Sequence, residues 1–272
     1  MSKIFAKLSR LKKTVEEKQV ETPQQLPIWP EPFRSTPNEI LRSNLFTSRT
    51  RGERENLKGR VLAIIGEGVL AYTGEELRTD DEDVWLQILH LAKEQPLSTT
   101  VEFTPYAMVK ALGWVKPSKK TGKLTRPGKA HYERLKASLT RMQATALVAT
   151  LPRLDKGVSI SLIDGFQWEG VTPWRVVISP EVKKLFGCKH YTSLQWTQRL
   201  KLTPTAKRIH GYFSSHTKPY PIKIEKLYAL CSSGSPLKIF KNRIGSWMDE
   251  LVAVGFLKSW EQKGAAIYVK RS

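Results

Sequence analysis

Apolar residues recur at helical spacing near the C-terminus. Phe240, Ile244, Trp247, Met248 and Leu251 form one stripe. The opposite face carries Lys238, Asn242, Arg243 and Ser246, with Ile239 and Lys241 beside them. Ser235 is placed to N-cap this helix, with Pro236 in its first turn. Strand-like segments near Phe256–Glu261 and Ala265–Lys270 follow, with Gly264 at the turn between them. Upstream, Thr203–His216 reads as a helix capped by Thr203 and opened by Pro204. YPIKI is a short strand, and Glu225–Cys231 is a second helix. Helix, strand, helix, basic helix and hairpin together describe a winged helix, a module that lays its second helix in the DNA major groove.

The first half repeats that order. Gly59–Thr73 reads as two strands around a Gly-Glu-Gly turn. Asp80–Ala92 is a helix with acids in its first turn, where the macrodipole favours them. Val84, Ile88 and Leu91 form its inner stripe, widened by Trp85 and Leu89. TTVEFT is a short strand, and Pro105–Leu112 is a helix stopped by Gly113. Gly128–Leu147 is a long helix with Tyr132, Leu135, Leu139, Met142 and Ala146 inward. Its outer face carries Lys129, Glu133 and Arg141, flanked by Arg134 and Lys136. Strands follow within Leu147–Trp168 and Trp174–Ile178, and Pro180–Phe186 is a short helix. The fold class expected is α+β, with two tandem winged-helix domains and an extended N-terminal tail. Residues 1–42 form the flexible tail and proline-rich linker, 43–190 the first domain and 191–272 the second. In the tail, Ile4, Leu8, Leu11 and Val15 can line one side of a short helix. Pro23, Pro27, Pro30, Pro32 and Pro37 then impose an extended chain.

Charge points to a polyanion. The net charge is +20 over 272 residues and is unevenly placed. Lys116–Arg153 holds ten Lys/Arg and one acid, and Arg199–Ser272 holds fourteen against four. Gly52–Glu102 is acidic, with eleven Asp/Glu against five Lys/Arg. Both basic blocks coincide with long helices, the footprint of a phosphate-binding surface. Two cysteines, Cys188 and Cys231, fit a reducing, intracellular setting, here the cytoplasm. No stretch approaches the roughly 20 apolar residues of a membrane span, so no membrane partner is expected.

Seven stretches stand out together: SNLFTSR (Ser43–Arg49), AYTGEELRTDDEDVWLQIL (Ala71–Leu89), LGW (Leu112–Trp114), RLKASLTRMQATA (Arg134–Ala146), LTPTAKR (Leu202–Arg208), YFSSH (Tyr212–His216) and PYPIKIE (Pro219–Glu225). On these stretches the chain resembles the TrfA family of plasmid replication initiators. The resemblance implies two winged-helix domains on one origin repeat (iteron) of double-stranded DNA, and opening of a neighbouring AT-rich region that becomes single-stranded. It also implies recruitment of the host replicative helicase and initiator, and a monomer–dimer balance that restrains copy number. The family carries a sliding-clamp-binding peptide of the type Gln-Leu-Ser-Leu-Phe. The nearest match here is QLPIW, which makes Gln25, Leu26, Ile28 and Trp29 the candidate clamp contacts. Pro27 replaces a small polar residue and Trp29 replaces Phe.

No enzyme signature is present, and no cofactor is expected. GKLTRPGKA (Gly122–Ala130) has five residues between its glycines rather than four, and Ala130 stands where a phosphate loop needs Ser or Thr. His90, His131, His190, His210 and His216 show no metal spacing. The expected DNA-binding residues are Ser235, Lys238, Ile239, Lys241, Asn242, Arg243 and Ser246. Arg or Lys reads guanine, Asn reads adenine, and an outward isoleucine suits a thymine methyl. Lys129, Arg134 and Arg141 are either phosphate contacts or partners of the acidic segment. The function expected is replication initiation by non-covalent DNA binding. The alternative is a winged-helix transcriptional repressor, for instance of its own promoter. A nuclease or relaxase is disfavoured by the missing metal and nucleophile constellations.

Overall fold

The computed structural model describes residues 26–93, 100–115, 117–118, 122, 125–154, 157–170, 172–186 and 190–272. The N-terminal amphipathic segment, Gln25 and Cys188 lie outside them. The described chain begins extended and enters strand β1 (Phe33–Pro37), the short helix α1 (Asn38–Leu41) and β2 (Phe46–Thr47). The hairpin β3 (Asn56–Val61) and β4 (Val69–Glu75) leads through β5 (Leu77–Arg78) into α2 (Thr79–Ala92). Next come β6 (Thr100–Phe103) and α3 (Pro105–Ala111). Thr104 Oγ1 caps α3 by accepting from the Ala107 N–H, Pro105 fits its first turn, and Gly113 at φ +66° ends it. The long helix α4 (Lys129–Gln143) precedes β7 (Ala146–Thr150), β8 (Val158–Ile160), β9 (Ile163–Gln167) and β10 (Trp174–Ile178). Helix α5 (Val182–Phe186), β11 (Tyr191–Gln195) and α6 (Trp196–Leu200) complete this half. The second half holds α7 (Pro204–Ser214), β12 (Ile222–Lys223), α8 (Ile224–Cys231), α9 (Leu237–Ala253), β13 (Leu257–Lys263) and β14 (Ala266–Arg271).

The two halves share one sheet order. The short strand pairs with the second strand of the hairpin, giving β6-β10-β9 in the first and β12-β14-β13 in the second. In each, a long helix precedes the hairpin. The first half differs by an inserted hairpin, β7–β8, which joins β3–β4 in a four-stranded sheet. That insertion ends α4 at Gln143, short of the expected Leu147, because Leu147 is already paired with Tyr72 across β4.

Two apolar cores are present. One runs from Leu26 to Trp196 and the other from Leu202 to Ile267. The expected tail is corrected at this point. Within residues 26–42, Leu26, Trp29, Ile40 and Leu41 are buried in the first core. Strand β1 pairs antiparallel with β11 in a register running from Phe33↔Gln195 to Pro37↔Tyr191. This pairing also carries residues 191–196 into the first unit, beyond the expected boundary at 190. Proline at strand ends and sheet edges is compatible with such a ladder. Among the described residues, no helix is long and apolar enough to cross a membrane.

Candidate nucleic-acid interface

Helix α9 divides as its sequence period requires. Phe240, Ile244, Trp247, Met248 and Leu251 are buried, while Lys238, Ile239, Lys241, Asn242, Arg243 and Ser246 are exposed. Ile239 is 44% exposed on this cationic face. Lys238, Asn242 and Ser246 have no hydrogen-bond or ion-pair partner among the described side chains. The Arg243 guanidinium lies 5.2 Å from the centre of the Trp247 ring. Lys241 pairs with Glu225 at 2.6 Å, and both side chains remain over two-fifths exposed, so a phosphate can compete for Lys241. Ser235 is corrected as a cap. Pro236 occupies the N-cap without a side-chain bond, and the Ser235 carbonyl instead accepts from Tyr228 OH at 3.0 Å. The hairpin is tied to α9 by Trp260 Nε1, which donates to Asp249 Oδ1 at 2.9 Å. Gly245 lies under the Trp260 ring, where an added Cβ would meet it at contact distance, 3.4 Å. Lys258, Lys263 and Lys270 project from the hairpin into solvent.

The first unit presents a different surface. Lys129 is exposed at the start of α4. Of the two roles expected for Arg134 and Arg141, the structure forms the acid pairing. Arg141 Nη2 donates to Asp81 Oδ1 at 2.7 Å and is largely buried. Arg134 meets Asp80 at 3.2 Å and covers the Trp114 ring at 4.1 Å. Asp81 is fully buried and fully satisfied. It also accepts from Arg54 at 2.7 Å, Ser138 Oγ at 2.7 Å and the Arg78 backbone N–H at 2.9 Å. The acids of the α2 first turn therefore do more than complement a macrodipole.

The largest feature that sequence reasoning missed sits between the halves. Glu82 accepts from Arg199 at 2.8 Å and from Arg208 at 2.7 Å. Asp83 accepts from Arg199 at 2.8 Å and from Lys207 at 2.5 Å. Arg199, Arg208 and Glu82 are fully buried. The second basic block is thus smaller at its surface than its count suggests. Opposite charge runs at 80–83 and 199–208 were the available signal. Next to this cluster, burial, with the Arg199 and Arg271 charges, pushes His210 down to about 3.

The candidate clamp residues are placed as follows. Ile28 is 70% exposed, whereas Leu26 and Trp29 are 2% and 3% exposed. Trp29 stacks on Phe186 with ring centroids 6.2 Å apart. The expectation of an available Ile-Trp pair is corrected, because clamp engagement through this segment would require extracting Leu26 and Trp29 from the core. Among the described residues, no three His, Cys, Asp or Glu side chains are grouped to hold a metal ion. Cys231 is buried and unpaired, and burial pushes its thiol up to about 12.

The fold is similar to that of two solved structures. Domains 2 and 3 of RctB match with a TM-score of 0.58 at 11% identity, over 86% of this chain and 98% of that one. The Pi initiator protein, solved in complex with iteron DNA, matches with a TM-score of 0.56 at 10% identity, over 90% and 100%. The TrfA protein family model matches residues 2–271. The plasmid replication initiator protein TrfA of Escherichia coli is 33% identical over 278 residues, covering 99% of this chain and 70% of that protein. The chain therefore belongs to the TrfA family of plasmid replication initiators.

Proposed function

We propose that this protein starts plasmid replication by binding direct repeats of its origin as duplex DNA through two tandem winged-helix domains. One domain is centred on α4 and the β9–β10 hairpin, the other on α9 and the β13–β14 hairpin. The shared sheet order of the two halves supports this assignment. The exposed face of α9 carries the reading. It sets the unpartnered Lys238, Asn242 and Ser246 beside the exposed Ile239 and the exposed Arg243 guanidinium, which is the residue set that reads base edges. Lys129, Lys258, Lys263 and Lys270 then serve as phosphate contacts that set register. The protein acts non-covalently. Membership of the TrfA family supports opening of a neighbouring AT-rich region and recruitment of the host helicase and initiator as the next steps.

Hydroxyl-radical footprinting of the full chain on its own origin tests this. The expected result is protection of two neighbouring segments within each repeat, on one face of the duplex. Protection spread evenly over repeat and flanking DNA would contradict it.

A further inference from the structure

The acidic run Asp80–Asp83 touches both halves at once. Asp80 and Asp81 hold Arg134 and Arg141 of α4. Glu82 and Asp83 hold Arg199, just before α7, and Lys207 and Arg208 within it. Helix α7 in turn packs on α9. Four consecutive side chains therefore connect the long helix of one unit to the long helix of the other.

A second set of contacts grips the turn that presents α9. Asn44 Nδ2 donates to Ser232 Oγ at 3.0 Å, and the Ser48 N–H donates to the Cys231 carbonyl at 2.8 Å. Ser232 holds a left-handed backbone, φ +43°, within that turn. Arg208 also donates to the Ser43 carbonyl, and Arg42 donates to Ser215 Oγ at 2.9 Å.

A buried cluster of this kind is poor at adding stability and good at fixing geometry. Desolvating the charges costs much of what their attraction returns. Both oxygens of Glu82 and of Asp83 are used, so a shift of one unit against the other strands a buried charge without a partner. An apolar junction of the same size would tolerate sliding.

We infer that Glu82 and Asp83 are positioning residues that fix the separation and twist between α4 and α9, so that the protein reads sites of one internal spacing only. This rests on duplex reading by both units, as proposed above. A flexible linker would let the two units follow a lengthened site, but a locked junction does not.

The test measures affinity of the full chain for its repeat. It repeats the measurement with two or five base pairs inserted between the two protected segments. Five base pairs turn the second segment to about the opposite face of the duplex. The wild-type protein should then lose about a hundredfold or more, because the second unit no longer engages. Glu82→Gln, and Lys207→Ala at the rim of the cluster, should bind the native repeat more weakly and lose less than about tenfold on insertion. A flat insertion profile for the wild type overturns the inference. So does a wild-type profile in a variant whose circular dichroism is unchanged. If Glu82→Gln does not fold, Lys207→Ala decides alone. A wild-type chain that binds its repeat no better than random duplex would remove the DNA-reading proposal itself, and this inference with it.

Discussion

The indole N–H of Trp29 donates to His90 Nδ1 at 3.2 Å. Tryptophan can only donate, so His90 carries its proton on Nε2, which faces Glu31 Oε2 at 3.0 Å. Lys93 pairs with the other Glu31 oxygen at 2.7 Å, and these hydrogen bonds, Lys93 first, hold Glu31 down at about 2. The proline-rich segment is thereby strapped to α2.

Trp29→Ala should therefore destabilise the fold, by about 3–5 kcal/mol for loss of a buried indole. Ile28→Ala, at an exposed position, should stay within about 0.5 kcal/mol. Urea denaturation compares the two. An unchanged midpoint for Trp29→Ala would show that the segment contributes nothing to the first core.

Acid should unfold the protein through His210. Its folded value lies near 3, below the ordinary 6.5, because burial disfavours the charged ring. The folded state stays neutral while the unfolded chain takes up a proton below 6.5, so stability falls as pH drops from 6.5 toward 3. The slope is about 1.4 kcal/mol per pH unit for one such group. Burial also lowers His90 and His216, which act in the same direction. His210→Leu should flatten the acid limb of a stability–pH profile and leave the region above pH 7 unaltered. A parallel profile would place the acid sensitivity elsewhere.

Salt should weaken DNA binding steeply. If both units engage, about 6–10 phosphates are neutralised, giving a log–log slope of about −5 to −9. A slope shallower than about −3 would mean that a single unit carries the contact.

Much of the fold was legible because both units are built from amphipathic elements with clear stops. The α9 stripe, the Gly264 turn (φ +58°) and the Gly113 stop (φ +66°) fall where period and local chemistry put them. The outward set on α9 was legible for the same reason. Ser235 was misplaced by one residue, since Pro236 itself takes the non-helical N-cap position at ψ 147°. Charge was misread where it is buried. Arg199 and Arg208 look like surface cations in a basic block, and only their acidic partner Glu82, 117 and 126 residues distant in sequence, turns them inward. Trp29 failed for a similar reason. A run of prolines predicts extension, and nothing local says that an extended strap closes over a distant core.

The most direct measurement compares binding of the wild-type chain and of Asn242→Ala with Arg243→Ala to one origin repeat and to random duplex at fixed salt. Both side chains stand exposed on the outer face of α9. A good base contact is worth about 1–3 kcal/mol, so the double variant should lose at least about tenfold on the repeat. It should change by less than about threefold on random DNA, where only phosphates are touched. Equal losses on both DNAs would contradict base reading by α9 and leave that helix as a phosphate-binding surface.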